Sequence, residues 1–345
     1  MNYKMMGRLI AQILLAEAAF MVPALIISLA GQDSQAILGF ALSILVILAV
    51  AGVLMFFARK AKKGFYAREG MVCVGLAWIV MSLLGCLPFW ISREIPSYLD
   101  GLFEIVSGFT TTGASILSNV EGLSNGMLYW RSFSHWVGGM GVLVFLLAVV
   151  PVSGRNDGFT MHLLRAESPG PNVAKLVPRI RSTAGILYIL YIVLTVVDFL
   201  FLLAGKMPVL EAVCTAFGTA GTGGFGVKND SMASYSPYIQ NVCTVFMLLF
   251  GVNFSCYYLL IMKQIKSVYE DEELRLYVGM VLGSVLLIVI NLRGFYGTLE
   301  ETVRHAFFQV ASIVTTTGFA TTDFDLWPSF SKTILLVLMV IGASA

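Results

Sequence analysis

Long apolar stretches recur along this chain, and they constrain its fold more than any other feature. With 58% hydrophobic and only 12% charged residues, the chain lacks the charge that a soluble domain of 345 residues needs to cover its surface. Each stretch is long enough to cross a hydrocarbon core of about 30 Å as a helix. We therefore predict an all-α polytopic membrane protein whose crossings are residues 9–30, 36–58, 70–91, 128–152, 184–205, 238–262 and 274–292.

The charges between these stretches are distributed unevenly. Three connectors and the N-terminus carry most of the Lys and Arg, whereas the opposite connectors, which include Glu94, Glu104 and Glu121, are less basic. Because cytoplasmic loops are enriched in basic residues, we predict that the basic connectors and the N-terminus are cytoplasmic. The basic residues are Lys4, Arg8, Arg59, Lys60, Lys62, Lys63, Arg68, Arg155, Arg165, Lys175, Arg179, Arg181, Lys263, Lys266 and Arg275.

Each of the long outer connectors contains one short semi-apolar segment, at residues 98–109, 207–217 and 299–314. At 1.5 Å per residue, helices of this length reach only about 17–24 Å, which is too short to cross the membrane. We predict that each segment enters the membrane and returns on the same side. Irregular backbone at that depth has to be enclosed by protein or line a water-filled path, so the segments indicate a pore.

Capping signals mark the outer ends of two of these segments. Ser97 with Asp100, and Thr298 with Glu301, have the spacing in which a hydroxyl caps the first turn of a helix. A helix that starts there points its partially negative C-terminal end inward. That end favours a dehydrated cation on a central axis.

A short polar motif repeats after these segments. TTTG ends at Gly113 and again at Gly318, and the stretch FGTAGTGGFG at residues 217–226 holds a weaker third copy. When the copies are aligned on glycine, Gly223 pairs with Gly113 and Gly318. This spacing of about a hundred residues predicts internal repeats, each built of a span, a short helix, a turn and a second span.

The residue types in the turns suit a potassium filter. A dehydrated potassium ion needs several oxygens, which backbone carbonyls supply, and glycine adopts the backbone angles that aim consecutive carbonyls at one axis. Threonine hydroxyls add oxygens, and β-branching stiffens the turn. The predicted ion-binding residues are Thr111, Thr112, Gly113, Thr222, Gly223, Gly224, Thr316, Thr317 and Gly318.

Five motifs together resemble the Trk/Ktr/HKT superfamily of potassium transporters, in particular its bacterial TrkH type. The resemblance implies potassium uptake across the plasma (inner) membrane of a bacterium, a four-repeat pore, a homodimer, and gating by a cytoplasmic nucleotide-binding ring of the TrkA or KtrA type. Glycine at the three filter positions favours potassium by the same analogy. The motifs are LFEIVSGFTTTGAS (102–115), RSFSHWVGGMGVLVF (131–145), FGTAGTGGFG (217–226), GVNF (251–254) and TTTGFATTDFDLWPSFSK (315–332).

The resemblance also implies a division of the chain. The last span ends after about 17 residues, so we expect a gate and a fourth repeat to be missing from this chain, which by itself would not conduct. The predicted parts are two N-terminal helices (1–69), pore repeat 1 (70–152), a cytoplasmic loop (153–182), pore repeat 2 (183–262), a second loop (263–273) and an incomplete pore repeat 3 (274–345).

Other functions find less support in the sequence. A secondary transporter for another cation or small solute remains an alternative, because such proteins also use broken helices. We predict no enzyme, since intramembrane nucleophile or paired aspartate motifs are missing, and neither a covalently bound cofactor nor a nucleic-acid partner. Neither the five cysteines, which lie in apolar surroundings, nor His135, His162 and His305 have spacing suited to metal.

Polar residues in or near the spans leave several interpretations open. Glu17 is expected to be neutral or paired, and Asp198 either is paired or faces a cavity within the protein, or reaches the interface. Asn253, placed on the inner helix of repeat 2, would line a cavity or bond to a neighbouring helix. Asp323 and Asp325 would concentrate cations at the pore mouth or simply lie in a solvated loop.

Overall fold

The computed structural model describes residues 2–59, 67–141 and 180–342, and these residues form helices, turns and bends with no strand. The predicted cytoplasmic loop 153–182 lies almost wholly outside these ranges, as do Lys60, Lys62, Lys63 and His162. The chain divides into two compact units. The first contains Met1–Thr110 and Ala114–Tyr188, and the second contains Thr111–Gly113 and Ile189–Ala345.

The first unit is built around a long helical hairpin. Helices α1 and α2 pack along their length, and small residues let other helices approach closely. Gly126, for example, lies against Ala24 and Ser28 with no room for a Cβ atom. The helices are α1 (Tyr3–Ala30), α2 (Ser34–Phe57), α3 (Ala67–Gly85), α4 (Leu87–Ile91), α5 (Tyr98–Phe109) and α6 (Asn125–Met140).

Aromatic side chains hold the inner end of α5 in place within this unit. The ring of Phe109 packs against Trp78 at 6.1 Å and against Trp130 at 6.2 Å between centroids. The indole N–H of Trp130 donates to the carbonyl oxygen of Gly85 at 2.9 Å, so α6 is tied to the end of α3. The short helix α5 thus ends in a well-packed core.

In the second unit, the last three long helices share one apolar core. Helix α7 (Ile180–Ala204) enters this unit at Ile189. It is followed by α8 (Val209–Ala220), α9 (Pro237–Phe250), α10 (Phe254–Ile261), α11 (Ile265–Tyr269), α12 (Glu272–Asn291), α13 (Leu299–Val314), a 3₁₀ turn (Phe324–Leu326) and α14 (Ser329–Ile341). The core joins α12, α13 and α14 through buried residues that include Val281, Ile288, Val310, Val314 and Leu335.

The predicted short helices are present, and both predicted caps are confirmed. Helices α5 and α13 have the predicted bounds, and α8 begins two residues and ends three residues later than predicted. The Ser97 hydroxyl accepts the N–H of Asp100 at 3.3 Å, and the Thr298 hydroxyl accepts the N–H of Glu301 at 3.2 Å. These signals are local, which is why the sequence alone could locate them.

Residues 238–262, which we predicted as one crossing, do not form one continuous helix. Helices α9 and α10 meet at an angle of 85°. The break lies at Gly251–Asn253, and Asn253 caps α10 by accepting the N–H of Ser255 at 3.0 Å. Its amide also donates to Glu273 at 3.3 Å. Asn253 is therefore a helix cap at a bend rather than a residue within an inner helix.

Five helical segments of the described residues are long and apolar enough to cross a membrane, or six if α9 and α10 count as one broken span. The predicted crossing at 128–152 is described only up to residue 141. These numbers support a multi-pass membrane protein. The five segments are Tyr3–Ala30, Ser34–Phe57, Glu69–Ile91, Gly185–Ala204 and Glu272–Asn291.

Candidate functional site

The short helices α5, α8 and α13 end on the same backbone pattern. The first residue after each helix has a negative φ: −87° at Thr110, −75° at Gly221 and −87° at Thr315. The second residue is a threonine in the left-handed region: Thr111 at 53°, Thr222 at 48° and Thr316 at 57°. A β-branched residue with positive φ is uncommon and strained, and such strain concentrates at functional sites. Three such turns therefore indicate one repeated device.

A glycine completes each turn two residues later. Gly113 has φ 75°, Gly224 has φ 75° and Gly318 has φ 86°. The residue in register with Gly113 and Gly318 is therefore Gly224, and our sequence alignment on Gly223 was wrong by one residue. Local sequence misled the alignment because the second turn carries two consecutive glycines.

Backbone hydrogen bonds agree with this register. The N–H of Gly223 donates to the carbonyl oxygen of Gly218, five residues earlier, at 3.1 Å. The N–H of Thr317 donates to the carbonyl oxygen of Ser312, also five residues earlier, at 2.9 Å. Gly223 thus takes the middle position of its turn, as Thr317 does in the third turn.

The three turns lie next to one another in the second unit. A Cβ atom added to Gly113 would overlap the carbonyl oxygen of Gly223, and one added to Gly224 would overlap the carbonyl oxygen of Thr317. A Cβ atom added to Gly318 would meet no atom of residues 2–59, 67–141 and 180–342 within 4 Å. The last residue of the first turn thus faces the carbonyl of the middle residue of the second turn. The last residue of the second turn faces the carbonyl of the middle residue of the third turn in the same way.

This arrangement brings the predicted ion-binding residues together. Backbone carbonyls and threonine hydroxyls are the only oxygen-bearing groups that these residues carry, and such neutral oxygens are the ligands that replace the water shell of potassium in a filter. The residues are Thr111, Thr112 and Gly113 in the first turn, Thr222, Gly223 and Gly224 in the second, and Thr316, Thr317 and Gly318 in the third.

Hydroxyl groups stabilise the third turn from inside. The hydroxyl of Thr315 donates to the carbonyl oxygen of Ala311 and lies 2.7 Å from the hydroxyl of Thr317. The hydroxyl of Ser312 donates to the carbonyl oxygen of Phe319 at 2.6 Å. The turn is therefore tied to its own helix on both sides, which holds its carbonyls in a defined direction.

Metal ligation by acidic, cysteine or histidine side chains has no basis in the described ranges, where no group of three or more such residues could hold an ion. The five cysteines are free and buried. His135 is fully buried, and the Nδ1 atom of His305 lies 2.9 Å from the hydroxyl of Thr321.

A buried ion pair lies behind the first turn, and sequence reasoning missed it. Glu104, which we placed among the charges of an outer connector, is a fully buried residue of α5. Its carboxylate lies 2.6 Å from Nε of Arg131, and it accepts the hydroxyl of Ser115 at 2.9 Å and the N–H of Ile116 at 3.0 Å. The sequence does contain one signal for this role. Gln309 precedes Gly318 by the same nine residues that separate Glu104 from Gly113, so a polar residue recurs at this position of the repeat.

The support behind the third turn is a neutral network. The side-chain amide of Gln309 donates to the carbonyl oxygen of Thr322 at 3.4 Å. His305 contacts Thr321 and stacks on Tyr296 with 5.0 Å between ring centroids. The hydroxyl of Tyr296 in turn lies 3.1 Å from that of Thr322. Uncharged side chains thus hold the segment that follows this turn.

Two carboxyl groups are buried within spans. Neither oxygen of Glu17 has a hydrogen-bond partner among the described residues, so the predicted pairing is not found there. Asp198 is fully buried, which makes one of our two interpretations, that it reaches the interface, wrong. Its oxygens also lack hydrogen-bond geometry with any described residue, although the Thr219 side chain lies beside them.

The two acidic residues after the third turn are exposed. Asp323 caps the short 3₁₀ turn by accepting the N–H of Asp325 at 3.0 Å. The role of these residues in attracting cations therefore stays a prediction.

The fold defines a class, the multi-pass membrane proteins, in which three short helices here end on one repeated turn. The sequence model of the family described as "TrkH: Cation transport protein" matches residues 37–345. The chain belongs to the TrkH family.

Curated relatives and a solved structure agree with this assignment. The chain is 33% identical to the "Trk system potassium uptake protein TrkH" of Salmonella typhimurium over 352 residues, which cover 100% of this chain and 72% of the relative. It is 30% identical to the "Trk system potassium uptake protein TrkG" of Escherichia coli K12 over 328 residues, covering 93% and 67%. The crystal structure of the potassium transporter TrkH from Vibrio parahaemolyticus superposes with a TM-score of 0.82 at 28% identity, covering 98% of this chain and 70% of that one.

Proposed function

We propose that this protein takes up potassium across the inner membrane of a bacterium through a filter formed by the three turns. The observation that carries the proposal is the repeated contact between a left-handed glycine and the middle carbonyl of the next turn, at Gly113 with Gly223 and at Gly224 with Thr317. Turns that are arranged around one axis must each contact the next turn through equivalent positions, and these two contacts do so. The relatives, which are named potassium uptake proteins, support potassium as the cargo.

The physical basis is replacement of the ion's water. A potassium ion that enters a narrow path loses hydration, and neutral carbonyl oxygens restore it without binding the ion so tightly that it cannot leave. The C-terminal ends of α5, α8 and α13 lead directly into the turns, so their partially negative carbonyls add to the attraction for a cation. The chain's own residues therefore supply both the oxygens and the favourable field.

The path needs a further turn on one side. Among the described residues, Gly318 is the turn glycine that no other atom faces, and Gly113 and Gly224 show what should occupy such a face, namely a carbonyl oxygen of a neighbouring turn. We assign that role to a segment like the part of the Salmonella relative that the match, which spans 72% of that relative, does not cover. The division into two N-terminal helices and pore repeats 70–152, 183–262 and 274–345 belongs to the same proposal.

The proposed assembly is a homodimer gated by a cytoplasmic nucleotide-binding ring of the TrkA or KtrA type. Support comes from the names of the relatives, which assign them to a Trk system. The basic connectors, which we predict to lie on the same side of the membrane as the N-terminus, are the proposed cytoplasmic docking surface, since positive charge marks the inner side of such proteins.

Rubidium uptake into proteoliposomes tests the function. The full-length protein with its regulatory partner is expected to take up rubidium, with competition by potassium and little by sodium. Gly113→Ser should lose this preference, because a side chain there collides with the next turn. The matched control is Gly279→Ser, at an open helix position, where uptake should be unchanged. Absence of uptake by a folded wild-type protein would refute the proposal.

A further inference from the structure

We propose that Glu104 is a positioning residue that sets the selectivity of the first turn, a role that rests on the filter proposed above. The carboxylate accepts three donors: Arg131 on α6, and Ser115 and Ile116 in the segment that leaves the turn. It joins the short helix before the turn to the segment after it. The residues between Glu104 and Ser115, which include Gly113, are therefore closed into a loop of defined length.

The burial of this ion pair indicates that it serves geometry more than stability. Glu104 is 0% and Arg131 is 3% exposed, and removing two charges from water costs several kcal/mol that their mutual attraction repays only with good geometry and further hydrogen bonds. A well-packed apolar pair often stabilises a fold as well or better. What an apolar pair cannot do is accept the hydroxyl of Ser115 and the N–H of Ile116.

A carboxylate is also the group that this position requires. It offers two oxygens with about four acceptor sites and no donor, whereas a glutamine amide offers one oxygen and brings two N–H donors of its own. Here three donors converge on one side chain, from Arg131, Ser115 and Ile116. A glutamine would leave at least one of them facing another donor.

The equivalent positions of the other turns show the contrast. Nine residues before Gly318 lies Gln309, whose neutral side-chain amide donates to the carbonyl oxygen of Thr322. Nine residues before Gly224 lies Thr215. Of these three equivalent positions, Glu104, Thr215 and Gln309, only the first carries a charge that holds the segment leaving its turn, and a shift of about 0.5 Å in such a support is enough to disturb a binding geometry.

The test compares the ratio of rubidium to sodium uptake in the full-length protein reconstituted with its regulatory partner. Glu104→Gln is expected to take up rubidium with a ratio lowered about tenfold, equivalent to about 1.4 kcal/mol in relative barrier height. Ser115→Ala removes one hydrogen bond and leaves the ion pair, so a smaller fall of about two- to threefold is expected. Ser118→Ala, an exposed serine three residues further on, is the control and should keep the wild-type ratio.

A double variant separates positioning from folding. Glu104→Met with Arg131→Met removes both charges, so thermal stability in detergent should stay near that of the wild type while the uptake ratio stays low. A wild-type ratio in folded Glu104→Gln, or in the double variant, would overturn the inference. If Glu104→Gln does not fold, Ser115→Ala decides, and a ratio equal to that of Ser118→Ala would overturn it. Wild-type protein without rubidium uptake would instead refute the proposed function, and this inference with it.

Discussion

The first and third turns share one backbone but differ in what holds it. Thr111 and Thr316 have left-handed φ angles within 4° of each other, 53° and 57°, and each is followed two residues later by a left-handed glycine. Behind the first turn lies the buried pair Glu104 and Arg131, and behind the third lies the neutral amide of Gln309. The comparison teaches that the turn geometry is repeated while the chemistry that supports it has diverged.

The largest expected effect distinguishes the two supports. Arg131→Met leaves the Glu104 carboxylate buried without its counter-charge, which should lower the free energy of unfolding by about 3–5 kcal/mol. Gln309→Met removes one long, neutral hydrogen bond and should cost about 0.5–1.5 kcal/mol. Thermal unfolding in detergent measures both. A variant at Arg131 that melts no lower than the one at Gln309 would break the comparison.

A second prediction tests whether the two turn glycines have equivalent surroundings in the full-length protein. Gly113→Ala adds a methyl group that overlaps the carbonyl oxygen of Gly223, in addition to the cost of about 1–2 kcal/mol for a left-handed alanine. If a further turn faces Gly318 as proposed, Gly318→Ala should lose rubidium uptake to the same extent, about tenfold or more (about 1.4 kcal/mol per factor of ten). A much milder loss at Gly318 would mean that its face stays open.

The smallest expected effect concerns the outer ends of the same two helices, where the supports do not differ. Ser97→Ala and Thr298→Ala each remove one capping hydrogen bond and should each lower stability by about 1 kcal/mol. Hydrogen exchange of the first-turn amides of α5 and α13 measures the loss at each site. If the two variants lose protection from hydrogen exchange to strongly different extents, the two repeats do not share equivalent caps.

Sequence reasoning performed best where the signal was local. The bounds of α5 and α13 and both caps were predicted, because a cap depends on a side chain three residues from the N–H that it accepts. That these nine residues form three turns was predicted from composition and repetition alone, and that they bind an ion stays a prediction. Their register was predicted for the first and third turns but missed by one residue in the second, where Gly223 and Gly224 are chemically indistinguishable in a linear sequence.

Errors arose where the outcome depended on distant parts of the chain. Glu104 reads as one more charge in an outer connector, and only its contact with Arg131, 27 residues away, reveals the buried pair. The bend at Asn253 lies inside a continuous apolar stretch, so hydropathy offers no sign of it. Asp198 was equally compatible with burial and with the interface, since its depth depends on the helices that surround it.

The sequence by itself determined that this protein is a membrane-spanning bundle of helices with repeated short helices and threonine–glycine turns. Hydrophobic length, capping spacing and internal repetition are properties of neighbouring residues, so they can be read along the chain. Only the tertiary structure decided which glycine faces which carbonyl, and which buried charge supports the first turn. Those relations are set by packing between segments far apart in sequence, where close approach and desolvation, rather than local preference, select the arrangement.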